Sequence, residues 1–181
     1  NKFPGQNIFL SPEMKSTGEV IGIDTDLGSA YLKAEIGSGN MLPSDGSVFI
    51  SVNAKDKIDI ISIARDFLEL GFKIIATSGT YKTLTDNGIA SDMVYKVGEG
   101  RPNIVDMIKN NEIHIIINTP LGQMSRYDEY KIGRSAIQNK IPTVTTISGA
   151  QAVVRGIRKM HSGGLEYRSI QEIFDSSGQE S

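Results

Sequence analysis

Residues 72–80 bring together several side chains that could bind a phosphate. An apolar, strand-like run ends in Thr77, Ser78, Gly79 and Thr80, and a helix-compatible sequence follows. The first N–H groups of a helix are unpaired and lie at the positive end of its dipole, so this place favours an anion. The pattern predicts a phosphate site, but a short motif of this kind is also typical of an ordinary turn with a Ser or Thr helix cap.

Further cationic and amide side chains occur at similar strand–helix junctions elsewhere in the chain: Lys57, Lys96, Arg101 and Asn118. Parallel sheets bind ligands outside the carboxyl ends of their strands. The residues predicted at those ends are small and polar, with one lysine: Asn53, Thr77-Ser78, Lys96, Asn118-Thr119 and Thr145-Thr146. Such a rim suits a phosphate and a sugar. Because polar residues also simply end strands, the prediction depends on the set rather than on any one member.

The elements that would position these residues alternate regularly from Ser47 onwards. Apolar patterning predicts strands at 48–52, 72–76, 93–97, 112–118 and 142–146, and helices at 56–70, 80–87, 102–110, 127–138 and 150–160. Ser169 is predicted to cap a last helix at 170–175. Strands that alternate with helices over short connections predict a parallel sheet covered on both faces.

Residues 1–46 differ from the rest of the chain. They hold few apolar residues, one helical stretch at 26–35, and a linker-like run rich in Gly, Ser and Pro from Gly37 to Gly46. We therefore expect this part to bury no core of its own. The chain also starts at Asn1 rather than Met, which predicts a fragment of a longer protein.

Composition argues against several classes of function. The formal net charge of -2 gives no basic field for nucleic acid. The absence of cysteine excludes disulfides, thiolate metal sites and a cysteine nucleophile, and two histidines make a multi-histidine metal site a poor expectation. No apolar run approaches the roughly 18 residues of a membrane span, and the start lacks the shape of a signal peptide, so a cytoplasmic location is predicted.

Several motifs resemble one protein family along essentially the whole chain. Residues 12–20, Pro-Glu-Met-Lys-Ser-Thr-Gly-Glu-Val, resemble the end of the second ATP-grasp half of the carbamoyl-phosphate synthase large subunit, and Phe3-Pro-Gly5 fits this as well. Residues 76–80, 96–104, 116–119 and 133–137 resemble the methylglyoxal-synthase-like domain at that subunit's C-terminus. The resemblance implies an ATP-grasp tail and linker at 1–42. At 43–181 it implies an α/β domain, a Rossmann-like three-layer sandwich around a mainly parallel five-stranded sheet.

The resemblance also implies a function. In that family this domain is regulatory and binds a nucleotide such as UMP or IMP, or a PRPP-type effector. The parent enzyme is an ATP-dependent ligase that uses Mg or Mn and makes carbamoyl phosphate from glutamine-derived ammonia and bicarbonate, for pyrimidines and arginine. Its partners are the rest of the large subunit and a glutaminase small subunit, with oligomer contacts also expected. The fragment itself is expected to be non-catalytic, without a cofactor, and to bind neither nucleic acid nor membrane.

Carried over by position, the implied effector-binding residues are Lys57, Thr77, Ser78, Gly79, Thr80, Lys96, Arg101, Asn118 and Thr119. The family often has a second Thr two positions after the Asn, where this chain has Pro120, so one hydroxyl contact is lost. Thr145 matches a threonine of an amino-acid activator site that takes ornithine in some relatives. That site is incomplete here, because Thr143 stands where an aromatic residue is expected.

The alternative is methylglyoxal synthase itself, a lyase of the same fold that acts on dihydroxyacetone phosphate and needs carboxylates to move protons. At the positions of its two acids this chain has Arg101 and Thr119. Glu99 and Asp106 remain nearby, but we expect them to support a loop and a helix turn. The resemblance therefore favours a phosphate site without the proton-transfer groups.

Overall fold

The computed structural model describes residues 20–119, 126–169 and 171–173. The strands are β1 (Ser47–Ser51), β2 (Lys73–Thr77), β3 (Asp92–Val94), β4 (Ile115–Asn118) and β5 (Thr143–Val144). The helices are α1 (Leu27–Gly37), α2 (Asp59–Glu69), α3 (Ser78–Asp86), α4 (Ile104–Lys109), α5 (Arg126–Gln138) and α6 (Ile147–His161). The motifs at 3–5 and 12–19, and Pro120, lie outside the described residues.

All five strands are parallel and form one sheet in the order β3-β2-β1-β4-β5. Alternate side chains of β1 face opposite sides of the sheet. Val48 and Ile50 pack in the larger apolar cluster with helices α1, α2, α3 and α6, and Phe49 packs in the smaller cluster with α4 and α5. Helices on both faces of a parallel sheet give the three-layer α/β fold, which confirms the predicted fold class.

The turn between α2 and β2 shows how local sequence closes the larger core. Gly71 has a φ of 88°, a left-handed conformation that glycine adopts without a steric penalty, and it ends the helix there. The Phe72 N–H then donates to the Phe67 carbonyl at 2.9 Å. Both rings are buried and meet edge to face with centroids 5.4 Å apart, so the turn fixes α2 against the start of β2.

Helix α1 packs against α6 and contributes to the larger apolar cluster. Leu32 on α1 and Leu42 in the following segment are buried in the larger cluster, and Gly28 lies against the backbone of Arg155 on α6. Residues 1–46 were expected to bury no core of their own, and these contacts agree with that, because Leu32 and Leu42 join a core that the sheet and the other helices form. The boundary between residues 42 and 43 stays a prediction.

Several elements begin at residues other than those that the sequence predicts, because polar side chains at their ends make local hydrogen bonds. Helix α4 begins at Ile104 rather than at 102, since the side chain of Asn103 caps it and Asp106 accepts from the Asn103 N–H. Helix α6 begins at Ile147 rather than at 150, with Thr146 as its cap. Ser169 and Glu172 form the predicted cap of a helical turn at 171–173. None of the helices in the described ranges is both long and apolar enough to span a membrane.

We expect the ion pair between Asp24 and Lys33 to stop contributing to stability in acid. The Lys33 ammonium donates to Asp24 at 2.7 Å, and this hydrogen bond, with one from the Asp26 N–H, lowers the pKa of Asp24 from 3.8 to about 2. A lowered carboxyl pKa stabilises the fold above its ordinary value, and this contribution is lost as the pH falls from about 4 through about 2. Because solvent screens this partly buried ion pair, the Asp24→Asn variant should lose about 1 kcal/mol at pH 6. Chemical unfolding should show that this difference vanishes near pH 2, whereas a difference independent of pH would contradict it.

Candidate functional site

The strand order places the polar residues at one edge of the sheet. Strand β1 lies at the centre of the sheet. Strands β2 and β3 are added on one side of it and strands β4 and β5 on the other, and open parallel sheets bind ligands where the strand order reverses in this way. Ser51 at the carboxyl end of β1 is paired with Asn118 at the carboxyl end of β4, and Thr77 ends the neighbouring strand β2. The carboxyl edge therefore brings together two of the polar segments that the sequence predicts, Thr77-Ser78 and Asn118-Thr119, on either side of Ser51.

The N-terminus of α3 offers N–H groups that no side chain caps. Thr77 occupies the N-cap position with extended backbone, but its hydroxyl donates to Ser51 Oγ at 3.2 Å instead of capping the helix. Ser78 and Gly79 in the first turn are exposed. An uncapped, exposed first turn is suited to an anion, because its N–H groups are free to donate and the helix dipole is positive there.

The Lys57 ammonium lies at the same helix end. A β-carbon built at Gly79 would be 3.3 Å from Lys57 Nζ, so the missing side chain of Gly79 leaves room for this close approach. Lys57 is partly buried, and among the described residues no carboxylate lies within ion-pair distance of its ammonium. The structure therefore places an unpaired positive charge beside an uncapped helix N-terminus.

Three buried threonines hydrogen-bond to three successive residues at the end of β1. Thr77 donates to Ser51 Oγ, Thr80 Oγ1 accepts from the Val52 N–H at 3.3 Å, and Thr119 Oγ1 accepts from the Asn53 N–H at 3.0 Å. Each of these threonines is at most 4% exposed. The three hydroxyls thus join strands β2 and β4 and helix α3 to the carboxyl end of β1. Ser51 was missed by the sequence prediction, because the predicted strand at 48–52 placed it inside the strand rather than at its end.

Lys96 and Arg101 lie on the loop that follows β3. Strand β3 is shorter than predicted, so Lys96 lies in a turn in which the side chain of Glu99 accepts from the Lys96 N–H. The Arg101 guanidinium is exposed and lies 4.0 Å from Asp106. Burial raises the pKa of the Asp128 carboxyl on α5, while the positive charge of Lys96 acts against that shift. Arg101 thus has a carboxylate at ion-pair distance, and the Asp128 carboxyl lies close enough to Lys96 for the lysine's charge to affect its pKa.

The remaining predicted residues lie at the same edge. Asn118 is partly buried at the end of β4, and Thr145 lies between β5 and the cap of α6. A separate crevice of about 530 Å³ is lined by residues near α1 and by residues from the end of α6 onwards. Its lining carries charges of both signs, which include Asp24, Lys33, Lys159 and Arg168. The described residues contain no cluster of carboxylates and histidines that could hold a metal ion.

Comparison with known proteins identifies the family. The model of the MGS-like domain family matches residues 59–145, which include the uncapped helix α3. The carbamoyl phosphate synthase large chain of Nostoc sp. is 48% identical over 172 residues, which are 95% of this chain and 16% of the relative. The chain belongs to the carbamoyl phosphate synthase large-chain family. It carries an MGS-like domain.

Other relatives agree with this assignment. The carbamoyl phosphate synthase large chain of Archaeoglobus fulgidus is 50% identical over 177 residues, covering 97% of this chain and 16% of the relative. A protein of Aquifex aeolicus named "Carbamoyl phosphate synthase large chain, C-terminal section" is 48% identical over 179 residues, covering 96% of this chain and 33% of the relative. The chain thus spans between a sixth and a third of the length of these relatives.

Within the MGS-like domain, the two acids nearest the loop after β3 have structural partners. Glu99 accepts from the Lys96 N–H at 3.2 Å, and Asp106 accepts from the Asn103 N–H at 3.0 Å in the capping box of α4. These contacts agree with the expectation that Glu99 supports a loop and Asp106 a helix turn. Arg101 is an exposed guanidinium, and the Thr119 hydroxyl accepts two hydrogen bonds from Asn53. Neither side chain is a carboxylate, so neither replaces the acids that would transfer protons.

Thr80 should contribute to stability as well as to any ligand contact. The Thr80→Ala variant leaves the buried Val52 N–H without its acceptor, which we expect to cost about 1–3 kcal/mol of unfolding free energy. Thr85→Ala on the exposed side of the same helix removes a hydroxyl bonded only to helix carbonyls and should change it by less than about 0.5 kcal/mol. Urea unfolding compares the two, and equal small losses would contradict this role of Thr80.

Proposed function

We propose that the MGS-like domain binds a nucleotide effector, of the UMP, IMP or PRPP type, through its phosphate, and that it regulates a carbamoyl phosphate synthase. The observation that carries the proposal is the unpaired Lys57 ammonium beside the uncapped N-terminus of α3. A phosphate dianion placed there would accept from the N–H groups of Ser78, Gly79 and Thr80 and from Lys57.

The rest of the carboxyl edge supports a nucleotide rather than a free phosphate. Asn118 offers both a donor and an acceptor for a ribose or a base, and Ser78 adds an exposed hydroxyl. Lys96 and Arg101 would add charge from the loop after β3. Because carboxylates lie near both, we expect each to contribute less than Lys57.

The activity of the whole protein belongs to the same proposal. The relatives are named carbamoyl phosphate synthase large chains, so we propose that this domain forms part of an ATP-dependent ligase that uses Mg or Mn. In this proposal its partners are the rest of the large subunit and a glutaminase small subunit, its location is the cytoplasm, and it contributes no catalytic residue or cofactor.

Calorimetric titration of the chain with UMP, IMP, PRPP, ornithine and uridine tests the proposal. We expect at least one of the phosphorylated ligands to bind, and uridine to bind much more weakly than UMP. Ornithine should give no signal in this chain, because the aromatic residue of the activator site is replaced by Thr143. Equal binding of UMP and uridine, or no binding of any phosphorylated ligand, would contradict the proposed phosphate site.

A lyase activity on dihydroxyacetone phosphate is the second candidate, and the geometry does not favour it. A phosphate site alone does not move protons, and the acids near it have the structural partners described above. An assay for methylglyoxal should therefore stay at background. Turnover that disappears in Glu99→Gln or Asp106→Asn would replace the regulatory proposal with the lyase.

A further inference from the structure

We propose that Thr119 is a positioning residue, which holds the loop that carries Lys57 and so sets the distance between the ammonium and the N-terminus of α3. This inference rests on the proposed function and extends it. Thr119 acts through Asn53 and does not contact the effector. Thr119 follows β4 and Lys57 follows β1, so this connection would link the residues after β4 to the loop after β1.

The contacts of Thr119 are directed away from solvent. Its hydroxyl oxygen accepts from the Asn53 N–H at 3.0 Å and from Asn53 Nδ2 at 3.2 Å, and the residue is 1% exposed. Its own N–H donates to the Ser51 carbonyl at 3.0 Å, which continues the pairing of β4 with β1. With both hydrogen bonds to Asn53 formed, the oxygen has no further lone pair to offer a ligand.

Asn53 connects Thr119 to the loop that carries Lys57. Its Oδ1 accepts from the N–H groups of Lys55 and Asp56, at 2.8 and 3.2 Å, and so closes a turn. Its Nδ2 also donates to Asp56 Oδ2 at 2.7 Å. The Asp56 carbonyl in turn accepts from the Ile60 N–H at the start of α2. Lys57 lies between these fixed points, so one side chain determines the path of the loop on which Lys57 sits.

The electrostatic consequence is specific to the phosphate. An ammonium contributes most to anion binding when it lies within hydrogen-bond distance, and the contribution falls as the separation grows. A loop that loses its attachment to β4 would carry Lys57 away from α3 while leaving the N–H groups of that helix in place. The loss should therefore appear in the affinity for a nucleotide and not in the affinity for a nucleoside.

Thr119→Val and Thr119→Ser separate the hydroxyl from the shape of the side chain. Valine removes the acceptor from both Asn53 donors, so we expect the affinity for UMP to fall by about tenfold and the affinity for uridine to change by less than about twofold. Serine keeps the acceptor and should stay within about twofold of the parent for both ligands. Thr85→Val, on the exposed side of α3, is the matched control and should bind as the parent does.

A second variant, at Asn53, tests the same inference if Thr119→Val does not fold. Asn53→Ala removes the amide that contacts Thr119, Lys55 and Asp56 without adding a charge, so it should reproduce the loss for UMP. In the free protein, amide hydrogen exchange at Asn53 should quicken in Thr119→Val and not in Thr119→Ser.

The two proposals fail in different measurements. If the parent chain binds none of UMP, IMP and PRPP, the proposed function is wrong, and Thr119 has no phosphate site to position. If the parent binds UMP and Thr119→Val binds it equally well, or loses UMP and uridine affinity alike, the inference about Thr119 is overturned while the proposed function stands. A loss for UMP in Thr119→Ser as large as in Thr119→Val would also overturn it, because serine keeps the acceptor.

Discussion

Replacing Lys57 with alanine should weaken the binding of a nucleoside monophosphate by roughly 10- to 100-fold and leave the binding of the nucleoside nearly unchanged. The variant removes the ammonium that lies at the uncapped N-terminus of α3. Hydrogen bonds to charged groups contribute about 1.5–3 kcal/mol, and about 1.4 kcal/mol corresponds to a factor of ten. Calorimetric titration with UMP and uridine measures both affinities, and the parent should lose affinity for UMP more steeply with salt than the variant does.

Lys73 provides the matched control for this experiment. It is an exposed lysine at the amino end of β2, whereas the proposed site lies at the carboxyl ends of the strands. Lys73→Ala changes the net charge by the same amount and should leave the affinity for UMP within about twofold, because the separation is screened by salt. Similar losses in both variants would show a general effect of charge, and equal losses of UMP and uridine in Lys57→Ala would show that Lys57 does not contact the phosphate.

Replacing Leu32 with alanine should destabilise the whole described body by about 2–5 kcal/mol. Leu32 lies on α1, is 1% exposed and belongs to the larger apolar cluster, so the variant leaves a cavity between α1 and the layer that contains α6. Leu27→Ala on the same helix is the control, since Leu27 is 55% exposed and should cost less than about 0.5 kcal/mol. Urea unfolding followed by circular dichroism measures both.

This comparison also tests how α1 relates to the MGS-like domain. If α1 contributed nothing to the core, Leu32→Ala and Leu27→Ala would have the same small effect. A separate unfolding transition for α1 would likewise contradict a shared core. A single transition that shifts in Leu32→Ala alone is the result that the packing predicts.

The fold was predictable because its signals are local and repeated. Apolar runs such as Ile115, Ile116 and Ile117 indicate a buried strand whatever surrounds them, and alternation with helices then favours a parallel sheet. The ends of the elements were less predictable, because they depend on single side-chain hydrogen bonds such as those of Asn103 and Thr146. The contribution of Leu32 could not be predicted, because the apolar residues of α1 do not recur at a helical period that would mark one buried face.

The candidate site was predicted as a set of residues, but their separate roles were not. Residue types at strand ends indicated Lys57 and the 77–80 segment, and the structure places both at one helix N-terminus. Residue types could not show that Thr80 and Thr119 direct their hydroxyl oxygens to the backbone of Val52 and Asn53. That distinction depends on which strands are neighbours, and the order β3-β2-β1-β4-β5 arises only from tertiary packing.

Amide NMR spectra of the chain, recorded with and without UMP and with uridine in a parallel titration, test the central claim most directly. The account predicts that UMP shifts the backbone amide signals of Ser78, Gly79 and Thr80, because their N–H groups donate to the phosphate, and that uridine leaves these three signals nearly in place. Shifts confined to another part of the molecule, such as the crevice between Asp24 and Lys159, would contradict the account, as would shifts at residues 78–80 that are equally large with uridine.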